Sequence, residues 1–137
     1  MITYNYETDF ELSDEEHYSN WISQIITSED KKEGEISYIF CDDEYLNKIN
    51  TEFLSHDDYT DIISFDYSVG NEIHGDIFIS VERVKDNALQ YKVDFLDELH
   101  RVMAHGVLHY CGFKDKTTED AQIMRMKEEE KMKLFIN

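Results

Sequence analysis

The chain has 137 residues, 41% of them hydrophobic and 13% aromatic, and its formal net charge is −18 from 13 Lys+Arg against 31 Asp+Glu. That size suits one domain over residues 1–137 with a substantial core, and the composition excludes a disordered chain. Taken alone, the acidity argues against a nucleic-acid binder, whose usual footprint is basic.

The acidic start "MITYNYETDFELSDEE" lacks the basic-then-apolar build of a signal peptide, and no apolar run approaches a membrane span. A cytoplasmic protein with no membrane contact is therefore expected. "ITYNY" at 2–6 suits an opening strand. A helix follows, with a cap expected at Ser13, Glu16 completing a capping box, and Trp21, Ile22, Ile25 and Ile26 forming its apolar face. "GEISYIFCDD" alternates as a strand through Ile36, Tyr38 and Phe40. "DDEYLNKINTEFL" reads as a helix with Tyr45, Leu46, Ile49 and Phe53 on one side. "TDIISFDY" and "IHGDIFIS", joined by "SVGNE", make a hairpin. "VERVKDNALQY" is a short helix. Asp94 caps a long helix from Phe95 to about Tyr110 that Gly112 stops. A final helix is capped at Thr117 or Thr118, and its Met124, Met132, Leu134 and Phe135 pack inward. The order is βαβαββααα: an α+β fold, a mixed α/β sandwich, with a roughly four-stranded mixed sheet and about five helices. Strand order does not follow from this pattern. Cys41 and Cys111 form no Cys-x-x-Cys pair and read as small buried hydrophobes.

The charge is unevenly placed. Residues 1–82 hold 21 acids and 3 bases, whereas residues 83–137 hold 10 of each. The neutral part contains "HGVLHYCGFKDK", residues 105–116. On a helix, His105 and His109 share one face about one turn apart, close enough to reach one metal ion. Gly112 can end the helix and turn the chain back, so that Asp115 supplies a third donor. Three protein ligands leave a position open for water, which is a catalytic arrangement; the alternative for Asp115 is an ordinary loop acid capping the next helix. A metalloprotease would carry Glu after the first histidine. Gly106 cannot act as a base, which argues against that activity, but it does permit close approach or helix packing.

"HGVLHYCGFKD" resembles the His-Gly-x-Leu-His-x-x-Gly-(Tyr/Phe)-Asp-His motif of the YbeY family of rRNA-maturation endoribonucleases. "INTEFLSHDDYTDIISF" at 49–65 is similar to that family's Thr-Asp segment, "GDIFIS" at 75–80 to its Gly-Asp-Ile-x-Ile-Ser strand, and "TTEDAQIMRMKEEE" to its acidic final helix. The segments occur in family order over about residues 45–130. The resemblance implies a single-domain α/β fold that binds one metal per chain, usually zinc; a two-histidine, one-carboxylate set also admits Fe or Mn. It implies cleavage of single-stranded RNA, in small-subunit rRNA maturation and ribosome quality control. The implied partners are rRNA and small-subunit ribosomal proteins, with no DNA. His105 and His109 match the first two ligands. Asp115 stands where the family has its third histidine, and Lys114 where it has Asp. Leu54 replaces an arginine that would suit a phosphate, and Tyr59 a proline.

Asp61, Ser64 and Asp76 are candidates to line the cleft, the other reading being strand-end hydrogen bonds. Arg101, Lys114 and Lys116 are candidate phosphate contacts, and His56 a candidate proton-transfer group; solvated surface charge is the alternative for these. The rival to catalysis is a ribosome-assembly factor with a structural metal, whose acidic part binds a basic ribosomal protein.

Overall fold

The computed structural model describes residues 1–54 and 60–135. His56 and Tyr59 lie outside the described residues, as does the side chain of Leu54. The elements follow the expected order: β1 (Ile2–Tyr6), α1 (Glu15–Ser28), β2 (Lys32–Cys41), α2 (Asp43–Leu54), β3 (Ile62–Asp66), β4 (Glu72–Ser80), α3 (Val81–Tyr91), α4 (Phe95–Tyr110) and α5 (Thr118–Met132). The fold is α+β, with a four-stranded mixed sheet and five helices among the described residues.

The sheet order is β1-β2-β4-β3. β1 and β4 both run parallel to β2, and β3 returns antiparallel to β4. Alternation in β2 and β4 sends Ile36, Tyr38, Phe40, Ile73, Ile77 and Ile79 to one face, where all are buried. Tyr4 stacks on Tyr38 and Tyr6 on Phe40, with ring centroids 5.9 and 5.7 Å apart. α1 and α4 cover this face through Trp21, Ile22, Ile25, Leu99, Val102, Met103 and Val107. Buried apolar area of this kind is the main stabilising term of such a fold. Tyr38, buried mid-strand, donates its hydroxyl to the Met103 carbonyl at 2.9 Å and so ties sheet to α4. α2 lies on the opposite face, where Leu46 packs with Cys41 and Ile63.

Several local expectations shift. The α1 cap is Asp14 rather than Ser13: its carboxylate accepts from the His17 amide at 3.2 Å. Asp94 does precede α4 but makes no side-chain cap bond. Thr117 caps α5 by accepting from the Asp120 amide at 3.0 Å. Tyr45 remains 38% exposed, its ring stacked beside Phe78 with centroids 6.4 Å apart. Met124 is buried, and Leu134 and Phe135 pack against the core as expected. Both cysteines are free; Cys41 is buried and Cys111 half-buried.

Candidate metal centre

α4 supplies two of the three expected donors, and its ending supplies the third. The Gly112 amide donates to the His109 carbonyl at 3.0 Å and the Phe113 amide to the Leu108 carbonyl at 3.1 Å. This closure needs the left-handed backbone that Gly112 adopts, with φ at 105°. The chain therefore folds back across the end of α4, and Asp115 returns to the histidines. Its Oδ2 lies 3.2 Å from His105 Nε2 and 3.4 Å from His109 Nε2, and the two ring nitrogens are 2.9 Å apart. One atom of each residue falls within 4.8 Å of the others. Ligands about 2.0–2.1 Å from a tetrahedral centre stand roughly 3.3 Å apart, so the donor set suits a metal of that size.

His105 is held from behind. Its Nδ1 hydrogen-bonds Glu128 Oε2 at 2.6 Å. With Nδ1–H donating, Nε2 keeps its lone pair toward Asp115 and His109, the second-layer arrangement common around metal-binding histidines. Burial disfavours a charged His105, but the bond to Glu128 and the charges of Glu128, Asp115 and Asp61 outweigh it and raise its pKa. At His109, burial and then the neighbouring His105 lower the pKa, favouring the neutral, ligating form.

Gly106 contacts the sheet rather than another helix. A Cβ there would come to 3.0 Å from Ile77 Cδ1 and 3.1 Å from Ile62 Cδ1. The missing side chain lets α4 lie close over β3 and β4, and that closeness places the histidines beside the hairpin.

The donors open into a cleft of about 310 Å³ shared with Thr60, Asp61, Ser64, Glu98, Arg101 and Glu128. Asp61 and Ser64 thus line it as anticipated. Asp76 does not: strand alternation turns it to the other face of the sheet, beside Glu35, Ser37 and His74. Lys114 and Lys116 are exposed and do not line the cleft. Arg101 does line it, its Nη1 donating to Glu128 Oε1 at 3.2 Å while its Nε lies 3.4 Å from Glu98 Oε1. Asp61 accepts from Asn87 Nδ2 at 3.3 Å, and burial raises its carboxyl pKa. Thr60, Glu98 and Glu128 are polar members that sequence reasoning missed. The available signal for the two glutamates was their partner, Arg101, a basic residue on the histidine-bearing helix.

The fold and the site thus define an α+β protein whose two helical histidines and one loop carboxylate converge in an open cleft. The family model described as Endoribonuclease YbeY matches residues 3–135, and the chain belongs to that family. Proteins described as Endoribonuclease YbeY include one from Flavobacterium johnsoniae, 64% identical over 98% of this chain and 97% of its own length. Another, from Flavobacterium psychrophilum, is 63% identical over 98% and 96%. A third, from Christiangramia forsetii, is 58% identical over 98% and 94%. A solution structure of a Thermotoga maritima protein matches with a TM-score of 0.65 over 97% of this chain and 90% of that one; at 23% identity this is a likeness of fold. The resemblance read from the motifs is borne out. No helix among the described residues is long and apolar enough to cross a membrane.

Proposed function

We propose that this protein is a metal-dependent endoribonuclease that cuts single-stranded RNA during small-subunit rRNA maturation and ribosome quality control in the cytoplasm. The observation that carries this reading is the convergence of His105, His109 and Asp115 within 4.8 Å beside an open cleft. The endoribonuclease names of its relatives supply the substrate class.

His105 Nε2, His109 Nε2 and a carboxylate oxygen of Asp115 would hold one zinc ion, with Fe or Mn also compatible with two imidazoles and a carboxylate. When bound, the ion supplies Lewis-acid polarisation of a phosphoryl oxygen and activation of water. Glu128 fixes the His105 tautomer, so that Nε2 faces the other donors. Glu98 and Glu128 are engaged with Arg101. Of the remaining cleft carboxylates, Asp61 lies outside the donor cluster, and we assign it proton transfer to or from the reacting oxygens. Its burial raises its carboxyl pKa and so favours the protonated acid more than an exposed aspartate would.

A structural metal site is usually closed by four protein ligands. Here Asp115 is 40% exposed and the donors face a cleft, which favours catalysis over a purely structural metal. Single-turnover cleavage of a single-stranded RNA by zinc-loaded wild type and His109→Ala tests the reading. Wild type should cleave and the variant should lose nearly all activity; equal rates would sink it.

A further inference from the structure

Three residues on one stripe of α4 line the cleft at successive turns: Arg101, His105 and His109. Among the described residues, Arg101 is the only lysine or arginine in that lining. Its side chain is 19% exposed, so the guanidinium is positioned by protein rather than by water.

Two carboxylates hold it. Glu128 accepts from Nη1, and Glu98 sits beside Nε without completing a hydrogen bond. Nε is buried with no hydrogen-bond partner. No hydrogen bond among the described residues engages Nη2. The guanidinium is therefore fixed in orientation; Nε is enclosed by protein, and the donors a ligand could use are those left on Nη1 and Nη2. A planar fork with donors to spare matches two oxygens of a phosphodiester better than a lysine ammonium does.

Arg101 also lines a second, larger cavity of about 950 Å³ between α1, α4 and the end of the chain, with Phe95, His100 and Phe135 among its walls. It belongs to the walls of both spaces. A strand whose reacting phosphate lies at the donor cluster would pass this residue about one helical turn away.

We propose that Arg101 grips a backbone phosphate of the RNA strand, one turn of α4 from His105, and is the main cationic contact of the cleft. This rests on the RNA-cleaving reading above. A purely structural Arg101 would only neutralise Glu98 and Glu128, and its loss would act through the histidine that Glu128 orients.

The test compares zinc-loaded wild type, Arg101→Lys and Arg101→Gln. Zinc content and thermal midpoint are measured first. Binding of a cleavage-resistant 2′-O-methyl RNA strand is then followed by anisotropy across a potassium chloride series, and single-turnover cleavage of the matching RNA is timed. Arg101→Lys should keep its zinc and fold, yet lose about ten- to a hundredfold in kcat/KM. Arg101→Gln should in addition flatten the plot of log affinity against log salt by about 0.7, the loss of one phosphate contact. If both variants keep the wild-type rate and salt slope, the inference is overturned. It is equally overturned if rates fall only in proportion to lost zinc while the slope is unchanged. A wild type that neither binds nor cleaves the strand overturns the endoribonuclease reading and this inference together.

Discussion

Glu128 shows how much one residue can do from behind a site. It is 6% exposed, accepts from Arg101 and hydrogen-bonds His105 Nδ1. Glu128→Gln keeps the shape, but its side chain presents a single acceptor oxygen in place of a charged pair. Competition titration with a zinc chelator should show metal affinity falling by about 10–100-fold. On the proposed ligand set, Asp115→Ala removes one of three donors and should bind much less zinc in the same assay. The convergence of the histidines and Asp115 was legible in the sequence because helical spacing and a helix-ending glycine have fixed geometric meaning. Glu128 was not: it lies in the run Lys127-Glu128-Glu129-Glu130-Lys131, and only the docking of α5 decides which of its charges turn inward. Lys131 is the other example, buried at 2% and paired with Glu29 at 2.7 Å.

At the scale of elements, the hairpin is the scaffold beside the donors, and Gly75 fixes how closely α4 can approach it. Tyr110, in the last turn of α4, donates toward the carbonyls of Phe65 and Asp76 at 2.9 and 3.1 Å. A Cβ on Gly75 would collide with the Tyr110 ring hydroxyl and with the Phe65 carbonyl. The second of these is backbone and yields poorly. Gly75→Ala should therefore destabilise the protein by about 1–3 kcal/mol in a urea melt, and shift Tyr110 from its carbonyls. The elements themselves were readable, because alternation with period two and apolar spacing with period 3.6 are local signals. The sheet order was not. Placing β4 between β2 and β3 depends on a parallel crossover, which no local pattern records. Strand alternation also decided the fate of Asp76, which a motif position alone could not reveal.

Across the whole molecule, α1, α4 and the chain's end meet at His100. Its Nε2 pairs with the Tyr18 hydroxyl at 2.9 Å, and its ring lies 4.1 Å from that of Phe135, centroid to centroid. Burial, with His17 adding to it and Asp97 opposing, lowers its pKa to about 4 from 6.5. The unfolded chain therefore binds a proton below pH 6.5 that the folded protein refuses. The contribution of neutral His100 is fully present above pH 6.5 and is lost as pH falls to about 4, by up to about 3 kcal/mol. Urea melts of wild type and His100→Phe between pH 7 and 4 isolate the effect: the stability difference should move in favour of the variant as pH falls.

The chain contains one tryptophan. Trp21 is 2% exposed and donates its indole N–H to the Lys131 carbonyl at 2.8 Å, across 110 residues of sequence. That carbonyl belongs to α5, the helix that carries Glu128. The molecule thus contains an intrinsic fluorophore hydrogen-bonded to the element behind the candidate metal centre. Unseating α5 would break that hydrogen bond and admit water to the indole, so a red shift of its emission should report loss of the site's rear wall, without a label and without a substrate.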